Sequence, residues 1–112
     1  MPKQKLPPIF GQTFTKLNKQ LAIVFGGVVL LPNKLFSTVN TCMSLDIRSN
    51  NSFLLQNRGA VPSPRIGHSS CKVQENTLAT FGGSTVQGQL VDNKLYLMRL
   101  EGEEAMWSEV QT

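Results

Sequence analysis

The tripeptide Phe-Gly-Gly occurs twice in this chain, at residues 25–27 and 81–83, a separation of 81 − 25 = 56 positions. Laying residues 8–27 over 64–83 without a gap pairs Pro8 with Pro64, Gly11 with Gly67 and Lys16 with Lys72. Apolar character is kept where Phe10 meets Ile66 and Leu17 meets Val73. Further on, Leu45-Asp46-Ile47 lies over Met98-Arg99-Leu100 at a shift of 98 − 45 = 53, and Phe53 over Trp107 at 107 − 53 = 54. The drift puts the length differences in the stretch after each Gly-Gly and in the final turn, where repeats tolerate them. The chain therefore reads as two tandem copies of a unit of about fifty residues, the kind of period that marks repeat architectures.

Each copy is rich in strand signals. Nine glycines and six prolines punctuate the 112 residues. Between them lie short segments of Val, Ile, Leu, Phe and Thr, at 13–17, 21–25, 54–56, 77–81 and 94–100. No stretch sustains a helical stripe. Leucines at 90, 95, 97 and 100 mix periods, and Asp92-Asn93 before Tyr96-Leu97-Met98 reads as a turn leading into a strand. Many short, evenly spaced strands predict a sandwich, a barrel or a propeller.

Several function classes are disfavoured. The most apolar stretch, residues 21–31, contains Gly26 and Gly27 and falls short of the roughly 20 residues of a membrane helix. No apolar run follows the Met-Pro-Lys-Gln-Lys start, so no secretion signal is expected; an intracellular, cytoplasmic setting is, with Cys42 and Cys71 as reduced core thiols and the sequon at Asn50 left unused. Residues 1–60 carry seven Lys/Arg and one acid, residues 61–112 four Lys/Arg and six acids. The bases are scattered beside turns, which argues for a solvated surface and against nucleic acid; the alternative is a dipolar module whose basic part meets an acidic partner. One His and two Cys do not make a structural zinc site, and the Cys spacing is not C-x-x-C. Phe-Gly-Gly-Ser does not continue into a phosphate loop. Ser69, Ser70 and Asp92 accompany the single histidine, His68, but nothing in the sequence positions them as a triad. No catalytic residue, metal or cofactor is expected.

The second copy reads Pro64-Arg65-Ile66-Gly67-His68, then Leu78-Ala79-Thr80-Phe81-Gly82-Gly83, then Tyr96 and finally Trp107. It resembles the kelch repeat, whose pattern is an Arg-x-Gly-His opening, a double glycine closing an apolar strand, and a Tyr and a Trp at set distances. The first copy is similar in degenerate form. It keeps Pro8, Gly11 and Phe25-Gly26-Gly27, with Ile9 for the Arg, Gln12 for the His, Met43 for the Tyr and Phe53 for the Trp. The resemblance implies an all-β fold of two four-stranded antiparallel kelch blades, a partial β-propeller. Residues 1–7 would be a leader, 8–60 the first blade and 61–112 the second. Expected strands are 13–17, 20–26, 40–47 and 52–56, then 69–73, 77–82, 94–100 and 106–110, running outward from the propeller axis.

The resemblance also implies structural roles. Gly26, Gly27, Gly82 and Gly83 would end second strands where a neighbouring backbone comes close. Tyr96 and Trp107 would fill the wedge between blades, with Met43 and Phe53 as softer substitutes. Gly67 and His68 would shape a tight turn, and Arg65 would brace neighbouring blades through backbone carbonyls.

The function implied is a non-enzymatic protein-interaction scaffold with contact loops after each Gly-Gly. The first such loop, residues 28–37, contains Val29, Leu30, Leu31, Leu35 and Phe36 and is unusually apolar, a candidate partner-binding surface. Because propellers close with about 4–8 blades, two blades would need further blades or self-assembly into a homo-oligomer that completes a ring. The competing readings are a fragment of a carbohydrate-acting or oxidase-like propeller enzyme, and a truncated product without a role of its own.

Overall fold

The computed structural model describes residues 3–4, 9–85 and 87–110, with residues 3, 4, 9 and 10 described by their backbone alone. Among the described residues all regular structure is β. The strands are β1 (Lys3–Gln4), β2 (Ile9–Phe10), β3 (Thr13–Lys16), β4 (Leu21–Phe25), β5 (Val28–Leu30), β6 (Phe36–Thr38) and β7 (Cys42–Asp46). They continue as β8 (Ser52–Leu54), β9 (Gln56–Gly59), β10 (Ser69–Gln74), β11 (Thr77–Phe81), β12 (Leu95–Glu101) and β13 (Glu104–Glu109). Of the expected leader, residues 1, 2 and 5–7 lie outside the described residues, as does Pro8 of the repeat; residues 3 and 4 form β1.

Two antiparallel meanders dominate. The first runs β3-β4-β7-β8 and the second β10-β11-β12-β13, so both have the same strand order. Strand β1 adds antiparallel to β8, and β9 adds parallel to β13, giving each sheet a fifth strand that the sequence pattern did not show. Strand β9 falls in the expected first unit but belongs to the second sheet: after Leu55 the chain crosses over and lies along β13. A third, small sheet has the order β2-β5-β6.

The two units match in detail. The paired glycines have nearly the same dihedrals: φ is 77° and 107° at Gly26 and Gly27, and 80° and 106° at Gly82 and Gly83. Such left-handed backbone is cheap only for glycine. The pairings Phe10↔Val28 and Val28↔Thr38 of the first unit are answered by the bridges Ile66↔Ser84 and Ser84↔Leu90 of the second. Residues 28–37, expected as a loop, are therefore mostly a hairpin: two apolar runs pair as β5 and β6, and Pro32-Asn33-Lys34 turns between them with Lys34 at φ 71°.

One sequence pairing needs correcting. Trp107 pairs with Met98, whose counterpart is Leu45, and Leu45 pairs with Ser52. Ser52, not Phe53, thus stands in the place of Trp107. Phe53 pairs with Ser44 and lies on the opposite face, because a one-residue change of register flips every side chain of a strand.

The core lies between the sheets. Ile23, Phe25 and Cys42 of the first pack with Leu78, Tyr96, Met98, Ala105 and Trp107 of the second, and the Phe25 and Trp107 rings sit 4.7 Å apart. Alternation explains the second sheet's contribution: in β12 Tyr96 and Met98 are buried while Arg99 is exposed, and in β13 Ala105 and Trp107 are buried while Ser108 is exposed. Strand β4, buried over Ala22 to Phe25, is covered on both faces. Cys42 is a core thiol, its pKa pushed up to about 12 by burial. Cys71 is not: it lies on β10, exposed, because the face it points from has no neighbouring sheet. The two sheets pack on one another and close no ring.

The glycine pairs make a sharp comparison. A Cβ on Gly26 would stand 2.6 Å from the His68 ring and 2.8 Å from the Arg65 carbonyl, whereas one on Gly82 would meet nothing within 4 Å. Gly82→Ala should cost only the dihedral penalty, about 1–2 kcal/mol. Gly26→Ala should cost at least about 3 kcal/mol, since backbone must also move. Urea unfolding of both variants checks the ranking, and equal losses would contradict it.

Candidate functional site

The junction between the sheets is built on the segment that enters the second meander. Gly67, at φ 69°, turns the chain so that His68 reaches back to the first sheet. His68 Nε2 lies 3.0 Å from the Phe25 carbonyl oxygen and 3.0 Å from Thr13 Oγ1. The carbonyl can only accept, so Nε2 carries a proton and donates. The imidazole also meets the Phe25 ring edge-on, with centroids 5.3 Å apart. Thr13 Oγ1 donates onward to Ser70 Oγ at 3.1 Å, and Ser70 shares a hydrogen bond with Thr80 Oγ1. The main chain adds two ties: Gly27 N–H donates to the Arg65 carbonyl at 2.9 Å and Arg65 N–H to the Val39 carbonyl at 3.3 Å. Close approach of Gly26 and Gly27 is what lets these bonds form.

His68 is buried, and its Nδ1 has no hydrogen-bond partner among the described residues. Burial holds its pKa below the ordinary 6.5, assisted by the Arg65 charge and opposed by the bond to the Phe25 carbonyl. Asp92 makes its hydrogen bonds elsewhere, so the described residues contain no Ser-His-Asp relay.

Arg65 is fully buried. Its Nε donates to the Ser63 carbonyl, Nη1 to the Gly82 carbonyl at 3.2 Å, and Nη2 to Ser63 Oγ and to Asp92 Oδ2 at 3.3 Å. Its guanidinium carbon lies 5.2 Å from the Tyr96 ring centroid, and the Tyr96 hydroxyl donates to Asp92 Oδ2 at 2.7 Å. These side-chain bonds stay inside the second sheet and hold its own double glycine; only the Arg65 main chain crosses to the first sheet. That refines the expected brace between neighbours. Burial acts to raise the Asp92 carboxyl, but the Tyr96 and Lys94 hydrogen bonds and the Arg65 charge outweigh it and hold the carboxyl below the ordinary range. Burial and the Asp92 partner raise the Tyr96 phenol.

Trp107 anchors the outer side of the junction. Its Nε1 donates to Asn57 Oδ1 at 2.8 Å, Asn57 Nδ2 to the Asn40 carbonyl, and Asn40 Nδ2 to the Pro62 carbonyl, each at 3.0 Å. The structure thus gathers Gly26, Gly27, Arg65, Gly67, His68, Tyr96 and Trp107 around one seam, with Gly83 at the end of β11 packed against Ile66 and His68 and the Gly82 carbonyl accepting from Arg65. Sequence reasoning missed Thr13, Asn40 and Asn57, which are ordinary polar residues acting through position alone.

Away from the seam, the β5–β6 hairpin holds the apolar candidates. Val29 is half-buried, whereas Leu30, Leu31, Leu35 and Phe36 are exposed, and Leu30 pairs directly with Phe36. The tip is held by Leu31 N–H to the Leu35 carbonyl at 2.8 Å, with Leu35 N–H donating to Asn33 Oδ1. Four large apolar side chains therefore share one ordered tip.

No protein-family model matches the sequence. The chain is similar to Adagio-like protein 3 of Oryza sativa subsp. japonica, 32% identical over 108 residues, which is 95% of this chain and 16% of that protein. Adagio-like protein 1 of the same plant is 30% identical over 105 residues, 93% of this chain and 16% of the relative. Adagio protein 3 of Arabidopsis thaliana is 29% identical over 107 residues, 95% and 16% respectively. The chain spans about a sixth of the length of these curated relatives, 16% of each.

The depressed His68 pKa fixes the sign of a pH effect. Above the unfolded value near 6.5 both states are neutral and the residue adds no pH dependence. As pH falls through that value the unfolded chain takes up the proton first, so stability is lost until the folded pKa is passed. Unfolding midpoints measured from pH 7.5 to 5 should fall, and His68→Gln should flatten that part of the curve. Arg65→Met, which removes the side-chain donor to the Gly82 carbonyl and the positive partner of Asp92, should cost about 3 kcal/mol in urea unfolding.

Proposed function

We propose that the two meanders are kelch-type blades and that the chain is a protein-binding module without catalytic activity. The observation that carries this reading is the β5–β6 hairpin, an ordered element that presents Leu30, Leu31, Leu35 and Phe36 to solvent beside a packed core. Apolar side chains grouped in this way mark contact surfaces rather than chance exposure. The blade reading is supported by the matched meanders, the matched glycine dihedrals and the Arg-x-Gly-His opening at the seam. The non-catalytic reading is supported by His68, whose Nε2 is committed to the Phe25 carbonyl and Thr13.

The partner is a protein with an apolar groove or edge that accepts the hairpin tip. Lys34 is the one basic residue among residues 28–38, so the tip carries no basic cluster, which favours a protein over nucleic acid. Association should depend little on salt, since Lys34 is the single charge among residues 28–38. Leu30→Ser, Leu31→Ser and Phe36→Ser together should abolish capture of the partner while leaving the unfolding midpoint close to that of the parent, because these side chains lie outside the core. Retained capture would refute the hairpin as the contact.

A further inference from the structure

Between the end of β9 at Gly59 and the start of β10 at Ser69 the chain runs through Val61-Pro62-Ser63-Pro64-Arg65. Residues 60–65 belong to no strand. The two prolines fix their own φ at about −65° and push the residues before them, Val61 and Ser63, toward extended backbone. Pro62 is buried and its carbonyl accepts from Asn40 Nδ2. Arg65 is buried too, whereas Ser63 and Pro64 are exposed. The serine is thus held out to solvent on backbone that is pinned on both sides. Its hydroxyl oxygen accepts from Arg65 Nη2 at 3.2 Å, and the same nitrogen donates to Asp92 Oδ2 at 3.3 Å. Both distances are at the long end of the hydrogen-bond range. One buried guanidinium nitrogen is therefore shared between a surface hydroxyl and a carboxylate. Ser63 is also the one Ser or Thr in this sequence with a proline after it.

We propose that Ser63 is a phosphorylation site for a proline-directed protein kinase, and that the phosphate, once attached, takes the Arg65 guanidinium from Asp92. In the transfer, Ser63 Oγ attacks the γ-phosphorus of a nucleoside triphosphate. The new O–P bond forms, the bond from that phosphorus to the β–γ bridging oxygen breaks, and the nucleoside diphosphate leaves. The hydroxyl proton passes to the kinase's catalytic carboxylate. The extended backbone suits a kinase cleft, and Pro64 puts no N–H beside the acceptor that would need a partner there. The product carries about −1.5 to −2 charges and three strong acceptor oxygens where a neutral hydroxyl stood. A phosphate matches the planar fork of a guanidinium and is a stronger acceptor than the hydroxyl it replaces. Nη2 already lies against Ser63 Oγ, so it has little distance to cover. Asp92 keeps its bonds from the Tyr96 hydroxyl and the Lys94 N–H when the guanidinium turns away. The inference stands apart from reading the units as blades and from the hairpin as a contact surface.

The test incubates the folded full chain with a purified proline-directed kinase and Mg-ATP, and reads the product by intact mass, peptide mapping and NMR. One phosphate should appear, on Ser63, and Ser63→Ala, which removes only a surface hydroxyl, should abolish it. Phosphorus NMR then follows the second ionisation of that phosphate. It should lie at least about half a pH unit lower in the folded phosphoprotein than in the same phosphoprotein unfolded in urea, because a guanidinium beside it favours the dianion. The Asp92 carboxyl, followed by carbon NMR, should titrate higher after phosphorylation than before, having lost a cation and gained an anionic neighbour. No incorporation, incorporation at another residue, or incorporation only into unfolded chain overturns the site. Equal phosphate ionisation in folded and unfolded protein, or an Asp92 titration that does not rise, overturns the exchange of partners at Arg65.

Discussion

The fold turns on how closely Gly26 and Gly27 let another stretch of backbone approach. A side chain at Gly26 would occupy the space of the His68 ring, and the Gly27 N–H needs the Arg65 carbonyl at 2.9 Å. Two sheets that cannot approach this closely would leave Phe25 partly wet, and burying such a ring contributes about 1.5–3 kcal/mol. The hydrogen bonds across the seam are worth less individually, about 1 kcal/mol each. Their larger effect is on geometry: they fix which part of one sheet faces which part of the other, and the apolar side chains then fill the space so defined.

Arg65 shows how the second sheet prepares its side of that seam. A buried guanidinium is costly unless its donors are used. Here they reach Ser63, the Gly82 carbonyl and Asp92, with the Tyr96 ring beside them. The same cluster pins the opening strand against the end of β11, so that the Arg65 main chain is held ready for Gly27 and Val39. The first unit lacks this cluster, having Ile9 for Arg65 and Met43 for Tyr96. It has instead the β2-β5-β6 sheet, whose hairpin carries the exposed apolar tip.

Much of this was legible in the residues because it depends on glycine and on alternation. The Phe-Gly-Gly pairs located both meanders, and the eight strands expected for them all occur, with ends shifted by a residue or two. What escaped was set by register and by distance along the chain. Phe53 was matched to Trp107 on its aromatic character, but the β7–β8 ladder puts Ser52 in that place. The parallel pairing of β9 on β13 joins Gln56 to Glu104, and no local signal announces a partner so far away. Cys71 reads as a core thiol in an alternating strand, yet its face is bare. Residues 28–37 carried a legible hairpin signal, two apolar runs about a Pro-Asn turn, that an expectation of loops after Gly-Gly obscured.

The two double glycines are alike in conformation but differ in their hydrogen bonds across the seam: Gly27 N–H donates to the Arg65 carbonyl, while Gly82 faces open space and Gly83 packs only against Ile66 and His68 of its own unit. Amide hydrogen exchange of the protein at Gly27 and Gly83 compares them within one sample. Gly27 should exchange only through opening of the seam, at least a hundredfold slower than Gly83, which should exchange as an open backbone amide. Equal rates at the two glycines, or a Gly83 amide slower than that of Gly27, would contradict it.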